Sequence, residues 1–379
     1  MAAYEGVVSD VEKKFALQAL TAGLRVDGRS NTSYRKIGVK CRRRANETTV
    51  EVMVGKTKCC ARVAAEVVPP YPDRGAEGFI NFSVDFSPMA GPQYEAERPP
   101  AAAAAIARML ERMYKDARAL DTEALCIVPG RRVWSVDVSV LVLNDDGNVA
   151  DAVFLAAGLA LQHFRRAAVT VSGEHVVVHN FDERVPEPLS VHYMPVLVTM
   201  FIARPDRAAS MHHTTAEHDS EEQAGELAPF VDANAVEELI TTGKVHVATN
   251  EFGEVCGLTQ AGGSPLGVEE FMDTVVVALQ HGKRLLELVN SVLAEADLLE
   301  AQRARARHEA AAGYTSGHVK LAQMAEVMLG EVRKGSVPKP AESKPVVGAP
   351  LPGDEPGREY KQFVQQVTAS SLAAPAEHA

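Results

Sequence analysis

The stretch from Val136 to Leu161 constrains the fold of this chain more than any other segment. Valine occupies every second position in its first part, which predicts a strand with one apolar face. The polar residues from Asn144 to Asn148 predict a tight turn, and the small apolar residues that follow predict a buried helix. We therefore expect a strand, a tight turn and a buried helix at the centre of the fold.

The turn in this unit has the geometry of an anion site but lacks its chemistry. The free N–H groups of a first helical turn favour an anion such as phosphate. Three carboxylates nevertheless crowd this turn, those of Asp145, Asp146 and Asp151, and no Lys, Arg, Ser or Thr lies between Asn144 and Ala152. Because like charges repel, the carboxylates oppose what the helix dipole favours. The sequence therefore argues against a bound phosphate.

Composition limits the class of protein. A chain of 379 residues, 46% hydrophobic and 23% charged, is typical of a globular protein with two or three domains. A net charge of −11 is a poor basis for binding nucleic acid alone, because affinity for the phosphate backbone comes chiefly from Lys and Arg. Any contact with RNA or DNA must therefore be local or shared with partners.

The cysteines indicate a reducing compartment. They number five, show no CxxC spacing and include the adjacent pair Cys59 and Cys60, which favours reduced packing residues over disulfides. The sequence also contains no secretory signal and no run of about eighteen apolar residues. We expect a chain that is neither secreted nor membrane-spanning.

The first half predicts a β-rich opening followed by a helix. A short amphipathic helix is expected over residues 9–20. Arg25, Arg29 and Arg35 bracket a turn at Asp27-Gly28, for which a local salt-bridged turn is the preferred interpretation. Strands are predicted at Cys41–Val54, Thr57–Val68 and Phe79–Phe86. A helix is predicted at Pro100–Leu120, and a hairpin is predicted from Ala167–Val171 and His175–His179.

The predicted helix at Pro100–Leu120 carries a basic stripe formed by Arg108, Arg112 and Lys115. Such a stripe is typical of a surface helix whose charged face is solvated, and this is the preferred interpretation from the pattern alone.

The second half predicts a second domain that begins after Pro186 and Pro188. Its expected elements are strands at Pro195–Ile202, Lys244–Thr249 and Glu254–Thr259 and a long helix at 268–296, with another helix at Val319–Val332. The polar insert from Arg204 to Glu226 contains His212, His213 and His218. We assign no metal to them, because ligands need a rigid supporting shell. The Pro-rich tail beyond Ser336 is expected to be flexible, with a short docking helix as one interpretation of Tyr360–Val367.

Three phrases in the same order, LRVDGRSNTSYRKI, LDTEALCIVPGRRVWSVDV and LVLNDDGNVADA, resemble the RNase PH family. The likeness spans Phe15 to Glu300 and is greatest to ring subunits of the eukaryotic RNA exosome in the catalytically inert half of the ring. It implies an α+β fold of two RNase PH-like domains, with mixed β-sheets packed against helices and a flexible C-terminal tail. The implied domains are 1–188, 189–308 and 309–379.

The resemblance also identifies where an active relative would hold phosphate. Active members remove 3′ nucleotides with inorganic phosphate and carry a Gly-Ser/Thr-Arg cradle at the positions held here by Asn148, Val149 and Ala150. The arginine fork is therefore absent. Active members also carry an acidic pair followed by an aspartate six residues later. Those positions hold Glu238 and Lys244 here, so one acid remains and one is replaced.

Two interpretations of the remaining acids stay open. Asp232, Glu237 and Glu238 would together suit Mg²⁺, although solvated carboxylates at a strand end are the preferred interpretation.

The resemblance also bears on the basic residues Arg108, Arg112 and Lys115. With it, contact of these residues with RNA and a solvated charged face become equally favoured interpretations. It also makes the exposed strands and the Arg25–Arg35 region candidates for contact with neighbouring subunits.

The resemblance implies a non-catalytic subunit without cofactor or metal, in a hetero-hexameric ring that threads RNA. Its expected partners are other RNase PH-like exosome subunits, RNA-binding cap subunits, an associated hydrolytic nuclease and RNA, in the nucleus, including the nucleolus, and the cytoplasm. Two alternatives remain: an active phosphate-dependent 3′-to-5′ exoribonuclease, and a free-standing RNA-binding module.

Overall fold

The structure, a computed structural model, describes residues 9–44, 46–95, 98–172, 175–181, 183–203, 228–262 and 266–333. Residues up to Glu300 belong to one compact unit, and Ala301 begins a second. The predicted domain limits at 188 and 308 stay predictions. The His-containing insert, the Pro-rich tail and the segment Tyr360–Val367 lie outside the described residues. No helix in the described part is long and apolar enough to cross a membrane.

The first half folds into a mixed six-stranded sheet with helices against it. The strand order is β1-β2-β3-β6-β4, with β5 paired to β6; β4 runs parallel to β6 and the other pairs are antiparallel. The elements are α1 (Asp10–Thr21), β1 (Ile37–Arg43), β2 (Glu47–Val54), β3 (Thr57–Val68), β4 (Phe79–Phe86), α2 (Ala101–Glu111), β5 (Cys126–Val128), β6 (Arg132–Asn144) and α3 (Val149–His163).

Alternating apolar residues explain the central strand of this sheet. Val136, Val138, Val140 and Val142 on β6 are all buried, as the spacing predicts. The polar residues between them point to the opposite face, because successive side chains of a strand alternate. The predicted strand at the centre of the fold is confirmed.

The prediction of one strand over Cys41–Val54 was wrong. The chain instead reverses after Arg43, and the Arg44 N–H donates to the Glu47 carbonyl at 2.8 Å. β1 and β2 then pair in antiparallel register, with Cys41 opposite Val50. Asn46 is a favoured turn residue, but the polar run from Arg42 to Thr49 has no period that marks where one strand ends and the next begins.

The second half forms an antiparallel four-stranded sheet of order β12-β11-β13-β14. The predicted hairpin is confirmed as β8 paired with β9. The elements are β7 (Arg165–Arg166), β8 (Val169–Ser172), β9 (His175–Val178), β10 (Glu187–Pro188), β11 (Val196–Ala203), β12 (Ala228–Val231), α4 (Ala235–Ile240), β13 (Gly243–Thr249), β14 (Val255–Gly262) and α5 (Val268–Arg333).

The helix α3 is buried between the two sheets. Thirteen of its fifteen residues are buried, and it packs against β2, β3 and β11. A helix enclosed on both sides needs small apolar residues all round rather than one apolar face. The Gly and Ala residues of VADAVFLAAGLALQH meet this requirement. The predicted buried helix is therefore confirmed, and it joins the two sheets into one core.

The predicted long helix is longer than expected. α5 begins at Val268 as predicted but continues to Arg333, so the predicted end at 296 was wrong. Residues 319–332 are helical as predicted, but they belong to α5 and not to a separate helix. No proline interrupts this range, and its many Ala, Arg, Glu and Gln residues favour one continuous helix. Val275, Leu286 and Val289 on the helix are buried in the core.

Candidate functional site

The predicted site residues meet at one cavity. A cavity of about 530 Å³ opens at the start of α3 and is lined from both sheets. Asn148, Val149, Ala150, Glu238 and Lys244 all line it, although about ninety positions separate the two groups in the sequence. The fold therefore brings both predicted degenerate motifs to a single place.

The floor of the cavity is the first turn of α3. Asn148 caps this helix in the left-handed conformation, with φ 53°, which Asn tolerates better than most residues. Val149 and Ala150 then offer only apolar side chains to the cavity. No arginine is among the described lining residues. The helix start retains its backbone N–H groups but lacks a guanidinium group to neutralise an anion.

The acid and the base of the predicted second motif neutralise each other. The Lys244 ammonium forms an ion pair with Glu238, and both side chains are about three-quarters or more buried. The same ammonium lies 5.4 Å from the ring centroid of Phe201, a distance suited to a cation–π contact. Lys244 is therefore held on two sides and is not a free cation for a phosphate.

The sequence suggested that the three carboxylates of the turn crowd one point. In the structure they do not. Among them only Asp145 lines the cavity, where it accepts hydrogen bonds from the Tyr94 hydroxyl and the Gly147 N–H. Asp146 pairs with Arg35 at 3.3 Å. Each carboxylate has its own partners, so the like-charge repulsion expected from the sequence is partly relieved.

Asp151 lies beneath the cavity, fully buried. It accepts from the Thr199 hydroxyl at 2.6 Å, the Thr199 N–H at 3.2 Å and the Asn148 amide at 3.0 Å. Burial raises the pKa of Asp151 to about 6, although these hydrogen bonds oppose the rise. The Thr199 hydroxyl is also 2.9 Å from Nδ1 of His246, whose pKa burial lowers to about 4. Thr199 thus links two groups whose pKa values are shifted in opposite senses.

The N-terminal arginines bind acids of the second sheet. We call Arg25, Arg29 and Arg35 the arginine cluster. Arg35 donates to both carboxylate oxygens of Asp232, from its backbone N–H at 2.6 Å and from its guanidinium at 2.8 Å. Arg25 donates to Glu237 at 2.9 Å, and both side chains are almost fully buried. The cluster therefore joins the segment before β1 to Asp232, which follows β12, and to Glu237 on α4.

Two predictions about this region need correction. The local salt bridge holds for Arg29, which lies 2.6 Å from Asp27, but Arg29 also donates to Asp232 at 3.1 Å. Arg25 and Arg35 likewise take partners about two hundred residues away. Asp232 and Glu237 were expected to be solvated, and they are buried instead. Burial would raise the pKa of Asp232, but the hydrogen bonds and charge of Arg35 outweigh it and lower that pKa.

The predicted basic stripe lies outside the cavity. Arg108 on α2 and Arg112 and Lys115 on the π-helical turn that follows it, Arg112–Asp116, are all exposed. Lys115 pairs with Glu111 at 3.2 Å. Neither arginine side chain has a hydrogen-bond or ion-pair partner among the residues that the structure describes. Their guanidinium groups are therefore available to a ligand outside the chain.

Known proteins share this arrangement of elements. A family model described as "3' exoribonuclease family, domain 1" (RNase PH) matches residues 33–167. The chain is also 34% identical to the exosome complex component rrp45 of Schizosaccharomyces pombe over 283 residues, which cover 75% of this chain and 90% of that protein. This chain belongs to the RNase PH family. It is 32% identical to the human exosome complex component RRP45 over 289 residues, 76% of this chain and 60% of that longer protein.

Solved structures have the same RNase PH fold. The structure described as the Archaeoglobus fulgidus exosome with RNA bound to the active site superposes with a TM-score of 0.58 at 25% identity, and it covers 73% of this chain and 97% of that one. An archaeal exosome core superposes with a TM-score of 0.55 at 23% identity over 76% of this chain and 99% of that one. The predicted α+β RNase PH-like fold, with mixed sheets packed against helices, is confirmed.

Proposed function

We propose that this chain is a non-catalytic RNase PH-like subunit of an RNA exosome. It forms part of a hexameric ring that threads RNA for 3′-to-5′ degradation and processing, including rRNA maturation. Membership of the RNase PH family and the similarity to exosome components in several organisms support the ring role. The observation that carries the non-catalytic part is the ion pair of Lys244 with Glu238 in a cavity without arginine.

The cavity lacks what phosphorolysis needs. The attacking phosphate must be held in place and its charge neutralised. The helix start at Val149 supplies only about half a positive charge. Against it stand the carboxylates of Asp145 and Glu238, and the one Lys among the described lining residues already neutralises Glu238. A dianionic phosphate is therefore not stabilised in this cavity.

The proposed role depends on surfaces rather than on chemistry. Arg108 and Arg112 on one exposed face contact RNA phosphates without reading sequence. The partners are other RNase PH-like subunits in a hetero-hexameric ring, RNA-binding cap subunits and an associated hydrolytic nuclease, which supplies the degradative activity. The proposed compartments are the nucleus, including the nucleolus, and the cytoplasm.

A phosphorolysis assay tests the non-catalytic proposal. The assembly that contains this chain is incubated with RNA and inorganic phosphate, and the release of nucleoside diphosphates is measured. We expect Glu238→Gln in this chain to leave the rate unchanged, because any phosphorolysis comes from other subunits. A phosphate-dependent rate that is lost in Glu238→Gln, while the ring stays assembled, would instead establish an active exoribonuclease.

A further inference from the structure

The strand β1 carries a row of cations without partners. Lys40 and Arg42 on the strand and Arg44 directly after it are all exposed. None of the three side chains has a hydrogen bond or an ion pair with any residue that the structure describes. Together they line one side of a cleft of about 200 Å³. Their charges are therefore available to an anionic partner.

The acids across this cleft already have partners on the other side. Glu47 and Glu51 on β2 line the same cleft. The Glu47 carboxylate lies 2.6 Å from the guanidinium of Arg62 on β3. The Glu51 carboxylate lies 3.5 Å from the ammonium of Lys58, also on β3. Because both acids pair with β3, they leave the positive charge of the β1 side uncompensated.

The three cations have the spacing of an extended chain. Lys40, Arg42 and Arg44 occupy alternate positions, so their side chains share one face and lie about 6.6–6.8 Å apart. A peptide strand with an acid at every second residue has the same spacing, so each carboxylate meets one cation. Opposite charges on directly neighbouring strands stabilise their pairing.

The main chain of β1 is open on one side. β1 lies at the end of its sheet and pairs with β2 alone among the strands in the described part of the chain. The Arg44 N–H donates to the Glu47 carbonyl at 2.8 Å, and in an antiparallel pair every second residue bonds to the partner strand. The N–H and C=O groups of Val39 and Cys41 therefore point to the open edge, where no described backbone group bonds to them.

An apolar surface lies next to this edge on the face opposite the cations. Arg43, whose side chain alternates with those of Arg42 and Arg44, lies 3.9 Å from Asp297 on α5. The same turn of α5 carries Leu298 and Leu299, which are 65% and 44% exposed. Side chains of a strand alternate between its two faces. An added strand therefore suits this edge best when apolar residues alternate with its acids.

We propose that the open edge of β1 binds an extended acidic segment of another protein, which adds a strand to the sheet. Its main chain pairs with Val39 and Cys41, and its alternate carboxylates pair with Lys40, Arg42 and Arg44. The cations also select the ligand, because they repel a basic strand and stay unpaired beside an apolar one. Single-stranded RNA matches the charge but lacks the alternating N–H and C=O groups that the edge requires, so a peptide is favoured.

Fluorescence anisotropy with the full-length chain and labelled peptides tests the proposal. The probe is Glu-Val-Glu-Val-Glu-Val-Glu, and its control of equal charge and composition is Glu-Glu-Glu-Glu-Val-Val-Val. We expect the alternating peptide to bind about tenfold more tightly than the control, because only it places its acids on one face of a strand.

Methylated probes test the pairing of the main chain. A strand directs the N–H groups of only one set of alternate residues to its neighbour. Methylation of the valine nitrogens or of the glutamate nitrogens should therefore abolish binding, while methylation of the other set should preserve it. Equal effects of the two methylations would contradict the addition of a strand.

Two comparisons of variants locate the binding. Lys40→Glu with Arg42→Glu should weaken binding of the alternating peptide about tenfold, whereas Lys283→Glu with Arg284→Glu, exposed cations on α5, should leave it unchanged. Cys41→Pro removes an N–H at the open edge but none that bonds to β2. It should bind about tenfold more weakly than Cys41→Ala, which loses the same thiol and keeps the N–H.

Three results would overturn the proposal. They are absence of binding of the alternating peptide up to millimolar concentration, equal binding of the two peptides of the same composition, and tighter binding of a short single-stranded RNA than of the alternating peptide. Equal thermal unfolding of the variants excludes misfolding as the cause. If Cys41→Pro does not fold, the methylated peptides still test the main-chain pairing. The inference does not rest on the proposed function, so each can fail without the other.

Discussion

Asp232 joins three parts of the chain that are distant in sequence. Its carboxylate accepts from Arg35 and Arg29 in the N-terminal segment and from Asn148 at the start of α3. The side chain is fully buried. A buried carboxylate is tolerated only when it is paired and hydrogen-bonded, so each of these groups depends on the others.

Removing the charge of Asp232 should therefore destabilise the fold strongly. Asp232→Asn keeps a residue that tolerates its left-handed backbone, with φ 51°, but removes the buried counter-charge of Arg35 and leaves it only the partly exposed Asp146. We expect the free energy of unfolding to fall by about 3–5 kcal/mol. Urea denaturation of the full-length chain measures this loss.

The exposed pair of Glu47 and Arg62 provides the matched control. The Arg62 side chain is 59% exposed, so Glu47→Gln should cost about 1 kcal/mol or less. Equal losses for Asp232→Asn and Glu47→Gln would contradict the importance given to the arginine cluster.

His246 should make stability depend on pH. Burial lowers its pKa from 6.5 to about 4. Between these values the unfolded chain takes up a proton at His246 and the folded chain does not, so its contribution to stability is present above pH 6.5 and is lost as the pH falls towards 4. Asp151, with its pKa raised to about 6, acts in the opposite sense between pH 3.8 and 6.

His246→Asn isolates this contribution, because the Asn amide places a donor near the position of Nδ1 and does not titrate. We expect the stability advantage of the wild-type chain over this variant to shrink by on the order of 3 kcal/mol between pH 7 and pH 4, at about 1.4 kcal/mol per unit of pKa shift. Thermal unfolding at stepped pH checks it. A difference that stays constant with pH would contradict the shifted pKa.

Sequence reasoning found some of the site residues and missed others, for a physical reason. The positions of Asn148, Val149, Ala150, Glu238 and Lys244 follow from the resemblance, and the structure brings them together at one cavity. The partners of the arginine cluster were missed because an ion pair across two hundred residues leaves no local spacing. Thr199 was missed because a lone threonine inside an apolar strand gives no sign of what it bonds.

At the scale of elements, the turn between β6 and α3 depends on Gly147. Its φ of +83° strains any residue with a side chain, and the backbone from Ala233 to Ala235 lies against it. A Cβ added at Gly147 would lie 2.5 Å from the carbonyl carbon of Asn234 and 2.6 Å from the carbonyl oxygen of Ala233. The glycine thus permits the second half of the chain to pack directly on the turn.

Two glycine substitutions separate strain from packing. Gly130 has φ +75° with nothing within 4 Å of an added Cβ, so Gly130→Ala should cost only the left-handed strain, about 1 kcal/mol. Gly147→Ala adds overpacking against backbone and should cost about 1–3 kcal/mol more. Urea midpoints of both variants give the comparison. Equal losses would show that the contact with Asn234 is not tight.

A separate prediction concerns Arg108 and Arg112, the exposed arginines on α2 and on the π-helical turn that follows it. Replacing both Arg108 and Arg112 by Glu should weaken crosslinking of RNA to the assembled ring several-fold, because phosphate contacts depend on positive charge. Ring assembly should be unchanged. Lys283→Glu with Arg284→Glu, two exposed cations on α5, is the charge-matched control. Unchanged crosslinking in the first double variant would remove these arginines from the RNA path.

Elements with a clear period were predictable, and irregular joins were not. The strand at Phe79–Phe86 and the hairpin partners of β8 and β9 were found because their apolar or turn residues are local signals. The reversal between β1 and β2 was missed because the polar run from Arg42 to Thr49 has no period from which the strand ends could be read. The length of α5 was missed because charged residues of high helix propensity were taken for a loop.

At the scale of the whole molecule, the residues up to Glu300 form one compact unit, in which several charged groups at and near the candidate site pair with one another. Lys244 pairs with Glu238 at the cavity, and the arginine cluster pairs with the buried acids Asp232 and Glu237. With a net charge of −11 the chain is poorly suited to hold RNA by itself. Its proposed role therefore requires other subunits.

Native mass spectrometry of material purified through a mild tag on this chain tests that role most directly. We predict a stoichiometric assembly in which this chain is present once with other RNase PH-like chains and RNA-binding cap proteins. A lone monomer would contradict the account. A homohexamer would contradict it as well, because a ring of identical copies would lack an active neighbour and a partner nuclease.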